Sequence, residues 1–212
     1  MSEHKVILLT GAPGTGKSTL ARELTTKFLK QIECIDFGRL LLKKKMQDAP
    51  DLTYSKLRAE SSLIIAPEDV AEIDKALINY IQTYKLERSL LIDSHAVTRE
   101  TFGYRITMSS PDILRQLSLG VIVLVECEAE KLLQRVSQKP DGRIIMTLEE
   151  IRLHQALQRA VAIQYSLITN APLFVIQNNH SEDVLSYTFI EAMKTVGLIL
   201  REDQLPEDIS SV

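Results

Sequence analysis

The run Gly11-Ala12-Pro13-Gly14-Thr15-Gly16-Lys17-Ser18 fits the pattern G-x-x-x-x-G-K-[ST] at every fixed position. The residue types say what such a run can do. Glycines let the backbone curl until successive N–H groups point inward at phosphate oxygens. A helix opening behind them adds the positive end of its dipole. Lys17 is expected to reach the β- and γ-phosphates of a bound triphosphate, and the Ser18 hydroxyl to ligate Mg²⁺. A phosphate loop of this kind needs an acid at the end of another strand. Residues 89–93 (SLLID) supply one: apolar residues followed by Asp93, the Walker-B form, in which the carboxylate holds Mg²⁺ directly or through water. Asp36 ends a second apolar run and is a weaker competitor for that role.

Arginines are the next residues able to do chemistry. Phosphoryl transfer between nucleotides crowds anionic phosphates into one pocket, and catalysis becomes positioning and charge neutralisation. A phosphate acceptor, largely dianionic at pH 7, needs no general base, whereas a hydroxyl acceptor usually benefits from a carboxylate. Arg135 lies on the helix expected after the apolar run 121–126, and Arg159 on a long helix further on. Arg143 sits between them in Lys139-Pro140-Asp141-Gly142-Arg143, a breaker-rich turn from which a small lid (138–146) would emerge. Arg99 follows Asp93 on the loop at the carboxyl end of the sheet, where ligands bind in such folds. His95, two residues beyond Asp93, either touches the acceptor phosphate or braces the loop; His154, on a helix, reads as structural. No guanine-reading N-K-x-D is present, which argues against a GTPase, and no His/Cys/Asp spacing suggests a transition-metal site.

These residues need a scaffold. Residues 6–10 (VILLT), 33–37 (ECIDF), 89–93, 121–126 (VIVLVE) and 173–176 (LFVI) are short, continuously apolar runs of the kind that form strands covered on both faces. Helical patterns separate them. One runs from the phosphate loop to about residue 30, and one opens at Ala66-Pro67-Glu68-Asp69, with Pro at the first helical position and two acids in the first turn. Others cover 128–137, 147–169 (starting with the capping box Thr147-Leu148-Glu149-Glu150) and 181–196. The alternation predicts an α/β P-loop NTPase fold, a central five-stranded parallel sheet flanked by helices. One domain over 1–200 with a flexible acidic tail, 201–212, suits a chain of 212 residues. The net charge of −3 argues against a nucleic-acid partner, no apolar run is long enough to span a membrane, and Cys34 and Cys127 read as reduced core thiols of a cytoplasmic protein.

A family resemblance rests on more than the phosphate loop. TGAPGTGKST at 10–19, IDFG at 35–38, IDSH at 92–95, Gly103-Tyr104, the stretch LHQALQRAVAIQYSLITNAP at 153–172, and VIQNN at 175–179 resemble the archaeal-type adenylate kinases, a branch of the P-loop nucleoside monophosphate kinases. The D-S-H and H-Q-x-x-x-R-A elements are the specific ones. The resemblance implies ATP + AMP ⇌ 2 ADP with Mg²⁺, ATP being the phosphoryl donor and AMP the small-molecule partner. It implies donor-phosphate binding by Gly11, Ala12, Pro13, Gly14, Thr15, Gly16, Lys17, Ser18 and Thr19, and lid-side roles for Arg135, Arg143 and Arg159 around the transferred group. Arg99 stands where the family has Lys, and Gln177 and Asn178 would lie beside the donor adenine. An acceptor-nucleotide lobe would cover 38–85, with Arg58 the candidate for the acceptor phosphate and the basic run Lys43-Lys44-Lys45 read as a solvated helix face. It also makes a homo-oligomer possible. The chain departs from the family over 44–67, which looks longer, and at Asp36, which replaces Asn. Those departures keep two alternatives open: a P-loop kinase of a small hydroxyl-bearing substrate, and a nucleotide-binding regulatory ATPase.

Overall fold

The computed structural model describes residues 4–106, 110–138, 146–179 and 182–201. Along the chain these form β1 (Val6–Thr10), α1 (Lys17–Lys27), β2 (Ile32–Asp36), α2 (Phe37–Lys45), α3 (Tyr54–Ala59), α4 (Ser61–Ile64), α5 (Pro67–Tyr84) and β3 (Ser89–Asp93). Then follow β4 (Val97–Glu100), β5 (Gly103–Ile106), α6 (Pro111–Gln116), β6 (Val121–Glu126), α7 (Ala129–Gln138), α8 (Leu148–Thr169), β7 (Leu173–Gln177) and α9 (Glu182–Thr195).

The expected five-stranded parallel sheet is present, in the order β2-β3-β1-β6-β7. Every residue of β1, β3 and β6 is buried. Helices cover both faces, so these strands show no alternation of apolar and polar residues. On one face α1 and α9 bring Leu24, Phe28, Phe189 and Met193 against Ile7, Leu9 and Val123. On the other, α5, α6 and α8 bring Ile81, Leu114 and Tyr165 against Leu8, Ile92 and Ile122. Burial of each such side chain is worth about 1.5–3 kcal/mol, so the centre of the sheet is a rigid base for the loops at its carboxyl end.

Two boundaries move from their expected places. β2 ends at Asp36 because Asp36 is the N-cap of α2, its carboxylate accepting a hydrogen bond from the backbone N–H of Arg39 at 3.0 Å. Helix α1 stops at Lys27 because Phe28 turns into the core, its N–H closing the helix on the Leu24 carbonyl. The capping box of α8 forms as the sequence predicts: Thr147 Oγ1 accepts from the Glu150 N–H (3.2 Å) and Glu150 Oε2 from the Thr147 N–H (2.9 Å). Elements α2, α3, α4 and α5 share a small core of their own around Leu41, Leu52, Leu57 and Ile65. The antiparallel hairpin β4–β5, which the sequence pattern does not announce, follows β3 directly. Residues 139–145 of the expected lid and 202–212 of the tail lie outside the described residues.

Candidate active site

The phosphate loop links the end of β1 to the start of α1. A Cβ on Gly11, at φ +145°, would sit 2.2 Å from the Val125 carbonyl oxygen, so the loop can lie against β6 only with glycine there. Gly16, at φ +98°, caps α1 with no side-chain hydrogen bond, which leaves the first helical N–H groups to a ligand. Lys17 is buried, its Nζ 3.3 Å from the Ala12 carbonyl and 3.3 Å from His95 Nδ1. His95 Nδ1 is 2.9 Å from the Gly11 carbonyl, an atom that can only accept, so the ring donates from Nδ1. Burial, with Lys17 beside it, pushes the His95 pKa well below its ordinary value and keeps the ring neutral.

Ser18 Oγ donates to Asp93 Oδ2 at 2.8 Å, so the two oxygens expected to meet Mg²⁺ are neighbours at the start of α1. Burial raises the Asp93 pKa, against the lowering effect of Lys17 and the Ser18 hydrogen bond. Asp36 pairs in register with Asp93 at the adjacent strand end. One hydroxyl and one carboxylate, with substrate phosphates completing the shell, is a donor set that suits Mg²⁺.

Two cavities adjoin the loop and share no lining residue. The smaller, about 190 Å³, is lined by Gly14, Gly16, Thr19, Arg135 and Asn178 among others. Arg135 Nη2 donates to the Asn178 carbonyl at 3.3 Å, and Asn178 Nδ2 donates to the Thr15 carbonyl at 2.8 Å, so the strand end after β7 buttresses the loop from behind. Gln177 and Arg159 converge elsewhere. Both hold the buried carboxylate of Glu126 at the end of β6, Gln177 through Nε2 (2.9 Å) and Arg159 through Nε (2.9 Å) and Nη2 (2.6 Å). Arg143 lies outside the described residues.

The larger cavity, about 400 Å³, reaches Pro13, Ser18, Asp93 and His95 from the side of α2–α5 and the hairpin. Arg58, on α3, lines it; its guanidinium stacks 4.1 Å from the Tyr54 ring centroid and makes no ion pair among the described residues, although its charge acts on Asp93. Arg99 also lines it, but is tied down by Glu150 (2.8 Å), the Gly103 carbonyl (3.0 Å) and the face of Tyr104 (5.1 Å). Asp36 lines it too, with its carboxylate held by the backbone and side chain of Arg39. In the basic run, Lys44 pairs with Glu72 and Lys45 with Asp69 (2.8 Å), which fastens α2 to α5. His154 is fully buried, with Nε2 3.0 Å from the Val97 carbonyl. The sequence reading missed Tyr54, Ser61, Glu100 and Arg105. Only Arg105, an arginine just past Gly103-Tyr104, left a signal that could have been weighed.

A parallel sheet carrying a phosphate loop, a strand-end acid beside the loop serine and a second cavity opening on both define a nucleotide-binding protein of the P-loop kinase kind. Residues 10–152 match the family profile described as an AAA domain, and the chain belongs to that family. Over most of its length it is similar to archaeal adenylate kinases. It is 27% identical over 179 residues to the adenylate kinase of Methanothermobacter thermautotrophicus, covering 84% of this chain and 92% of that one. It is 28% identical over 199 residues to that of Pyrococcus furiosus, covering 93% and 97%. Among solved structures it is similar to the shikimate kinase from Acinetobacter baumannii in complex with shikimate (TM-score 0.58, 14% identity, 92% and 96% covered). It is also similar to an unliganded sugar kinase from Janibacter (TM-score 0.53, 12% identity, 93% and 99% covered). At those identities the two structures speak for the fold alone.

Proposed function

We propose that this chain is a nucleoside monophosphate kinase, an adenylate kinase in its preferred reaction, moving the γ-phosphoryl group of ATP to AMP to give two ADP. The observation that carries this reading is the larger cavity. It is of nucleotide size, is separate from the cavity beside Arg135 and Asn178, and meets the phosphate loop at Ser18 and Asp93. Similarity to archaeal adenylate kinases over 84–93% of the chain supports the same reading.

The donor triphosphate would lie along Gly11 to Thr19, with its purine toward Arg135 and Asn178. Lys17, parked on the Ala12 carbonyl and beside His95, would turn its ammonium to the β- and γ-oxygens. Ser18 and Asp93 would hold Mg²⁺, which supplies charge neutralisation between the phosphates. Arg58 would orient the acceptor phosphate. A monophosphate acceptor is largely dianionic at pH 7, so no side chain has to remove a proton. That suits a cavity in which both Asp36 oxygens already face Arg39. Arg143 and Arg159 would join the transferred group from the lid side, Arg159 on leaving Glu126. The reading includes a cytoplasmic location; among the described residues no helix is long and apolar enough to cross a membrane.

The test is to incubate the protein with Mg-ATP and, separately, AMP, CMP, UMP, GMP or water, and measure ADP. AMP-dependent ADP formation is the expected result. Slow ADP formation that ignores every monophosphate would make the chain a plain ATPase. No ADP with any of them would reopen the hydroxyl-acceptor reading, with Asp36 as the residue to examine.

A further inference from the structure

The hairpin β4–β5 has two faces. Its register pairs Thr98 with Arg105 and Arg99 with Tyr104, so Thr98, Glu100 and Arg105 share one face while Val97, Arg99 and Tyr104 share the other. The second face is bound to α8: Tyr104 Oη donates to the Glu150 carbonyl at 2.9 Å, and Arg99 pairs with the Glu150 side chain. The first face looks into the larger cavity through Thr98 and Arg105, and the second reaches its edge through Arg99 and Ile106. Between them sits Glu100, a carboxylate only 2% exposed.

A carboxylate so far from water is costly unless its oxygens are answered. Both are. Oε1 is paired with the Arg105 guanidinium through Nη2 at 2.9 Å, and the single proton of the Ser61 hydroxyl is shared between Oε1 (3.0 Å) and Oε2 (2.9 Å). Ser61 belongs to α4, so one buried carboxylate joins the α2–α5 side of the cavity to its hairpin wall. It also fixes the guanidinium plane of Arg105. Nη2 is engaged, Nε is buried without a hydrogen-bond partner, Nη1 makes no ion pair or hydrogen bond among the described residues, and the side chain is 31% exposed. A planar fork held by one nitrogen, with the other left open in a ligand-sized cavity, is preorganised to receive a second oxygen.

We infer that Arg105 is an acceptor-recognising residue, positioned by Glu100 and Ser61, which donates from Nη1 to an oxygen of the acceptor nucleotide in the cavity it shares with Arg58. This rests on the nucleoside monophosphate kinase reading above.

Calorimetry separates the possibilities, titrating AMP alone and a non-hydrolysable Mg-ATP analogue alone into wild type, Arg105→Lys, Arg105→Met, Glu100→Gln and the double variant Glu100→Gln/Arg105→Met. The double variant removes the buried charge together with its counter-ion and so keeps the test alive if Arg105→Met does not fold. AMP binding should weaken at least tenfold in Arg105→Met and in the double variant, the scale of a lost charge-assisted hydrogen bond. It should weaken less in Arg105→Lys, and by an intermediate factor in Glu100→Gln, which frees the fork without deleting it. The ATP-analogue affinity should stay within twofold throughout. Wild-type-like AMP binding in the double variant would reduce Arg105 to the counter-ion of Glu100 and overturn the inference. Parallel losses of AMP and analogue binding, accompanied by a fall in melting temperature, would make the cluster a structural brace and overturn it equally. A wild-type protein that binds no nucleoside monophosphate at all would overturn the functional reading itself, and the inference with it.

Discussion

Replacing Gly16 with alanine tests how the loop is supported from behind. Two separate costs can be worked out. At φ +98° an alanine is strained by about 1–3 kcal/mol. Its Cβ would also lie 2.3 Å from Asn178 Nδ2, so the Asn178 side chain must swing away and give up its 2.8 Å bond to the Thr15 carbonyl. Thr15 is fully buried, and orphaning that carbonyl costs about 1–3 kcal/mol more. Asn178→Ala orphans the same carbonyl, for about the same 1–3 kcal/mol. In Gly16→Ala/Asn178→Ala the strain stays but the bond can be lost only once. The double variant should therefore be more stable than the sum of the single losses by about 1–3 kcal/mol. Urea unfolding of the four proteins, followed by circular dichroism, measures that coupling. Additivity within about 0.5 kcal/mol, the level found for independent sites, would refute the claim that Asn178 and Gly16 share one contact.

Three further expectations concern charge. Lys17→Ala should lower phosphoryl transfer by about 10³-fold or more, since the only cation inside the loop is lost; near-normal turnover would remove the loop from the chemistry. Asp93→Asn should reduce turnover and shift the Mg²⁺ dependence to higher concentration, while Asp36→Asn, whose amide oxygen still accepts the Arg39 N–H and keeps α2 capped, should leave turnover and Mg²⁺ dependence close to wild type; the reverse pattern would exchange their roles. Asp74 on α5 is buried, and burial pushes its carboxyl up to about 6 from 3.8. Below about pH 4 it is protonated folded and unfolded alike and costs nothing; as pH rises toward 6 only the unfolded chain ionises freely, so stability falls by about 3 kcal/mol in all. The advantage of Asp74→Asn over wild type in denaturant titrations should thus be larger at pH 8 than at pH 4 by about that amount, and a pH-independent difference would contradict the assignment.

What could be read from the sequence was what local chemistry dictates. Continuous apolar runs fixed five strands to within a residue or so, and Thr147 with Glu150 located the start of α8, because capping and double-sided burial leave marks at short range. Ser18 and Asp93, 75 residues apart, were paired on motif grounds and stand at 2.8 Å. The hairpin was missed because VTRE and GYRI carry too little apolar alternation to read as strands; their pairing is held by cross-strand contacts and by Glu150 on α8. The Glu100–Arg105–Ser61 cluster was invisible for the same reason. Ser61 and Glu100 are 39 residues apart, and nothing near either one announces the other.

The strand order has a consequence for how the chain is made. β1 is the middle strand, and its partners begin at Ser89 and Val121. At about 5–20 residues per second, a ribosome that has released Thr10 needs about 4–17 s more to release Asp93, and longer still to complete β6. Through that interval VILLT has no neighbour in the sheet, and α1 has no closed core to rest against. Assembly must begin from non-local pairing, which is slow and exposes an apolar edge to other chains. A strand buried along its whole length in the finished molecule is therefore left without its sheet neighbours through much of synthesis, and a holding chaperone would find it open before the arrival of β3.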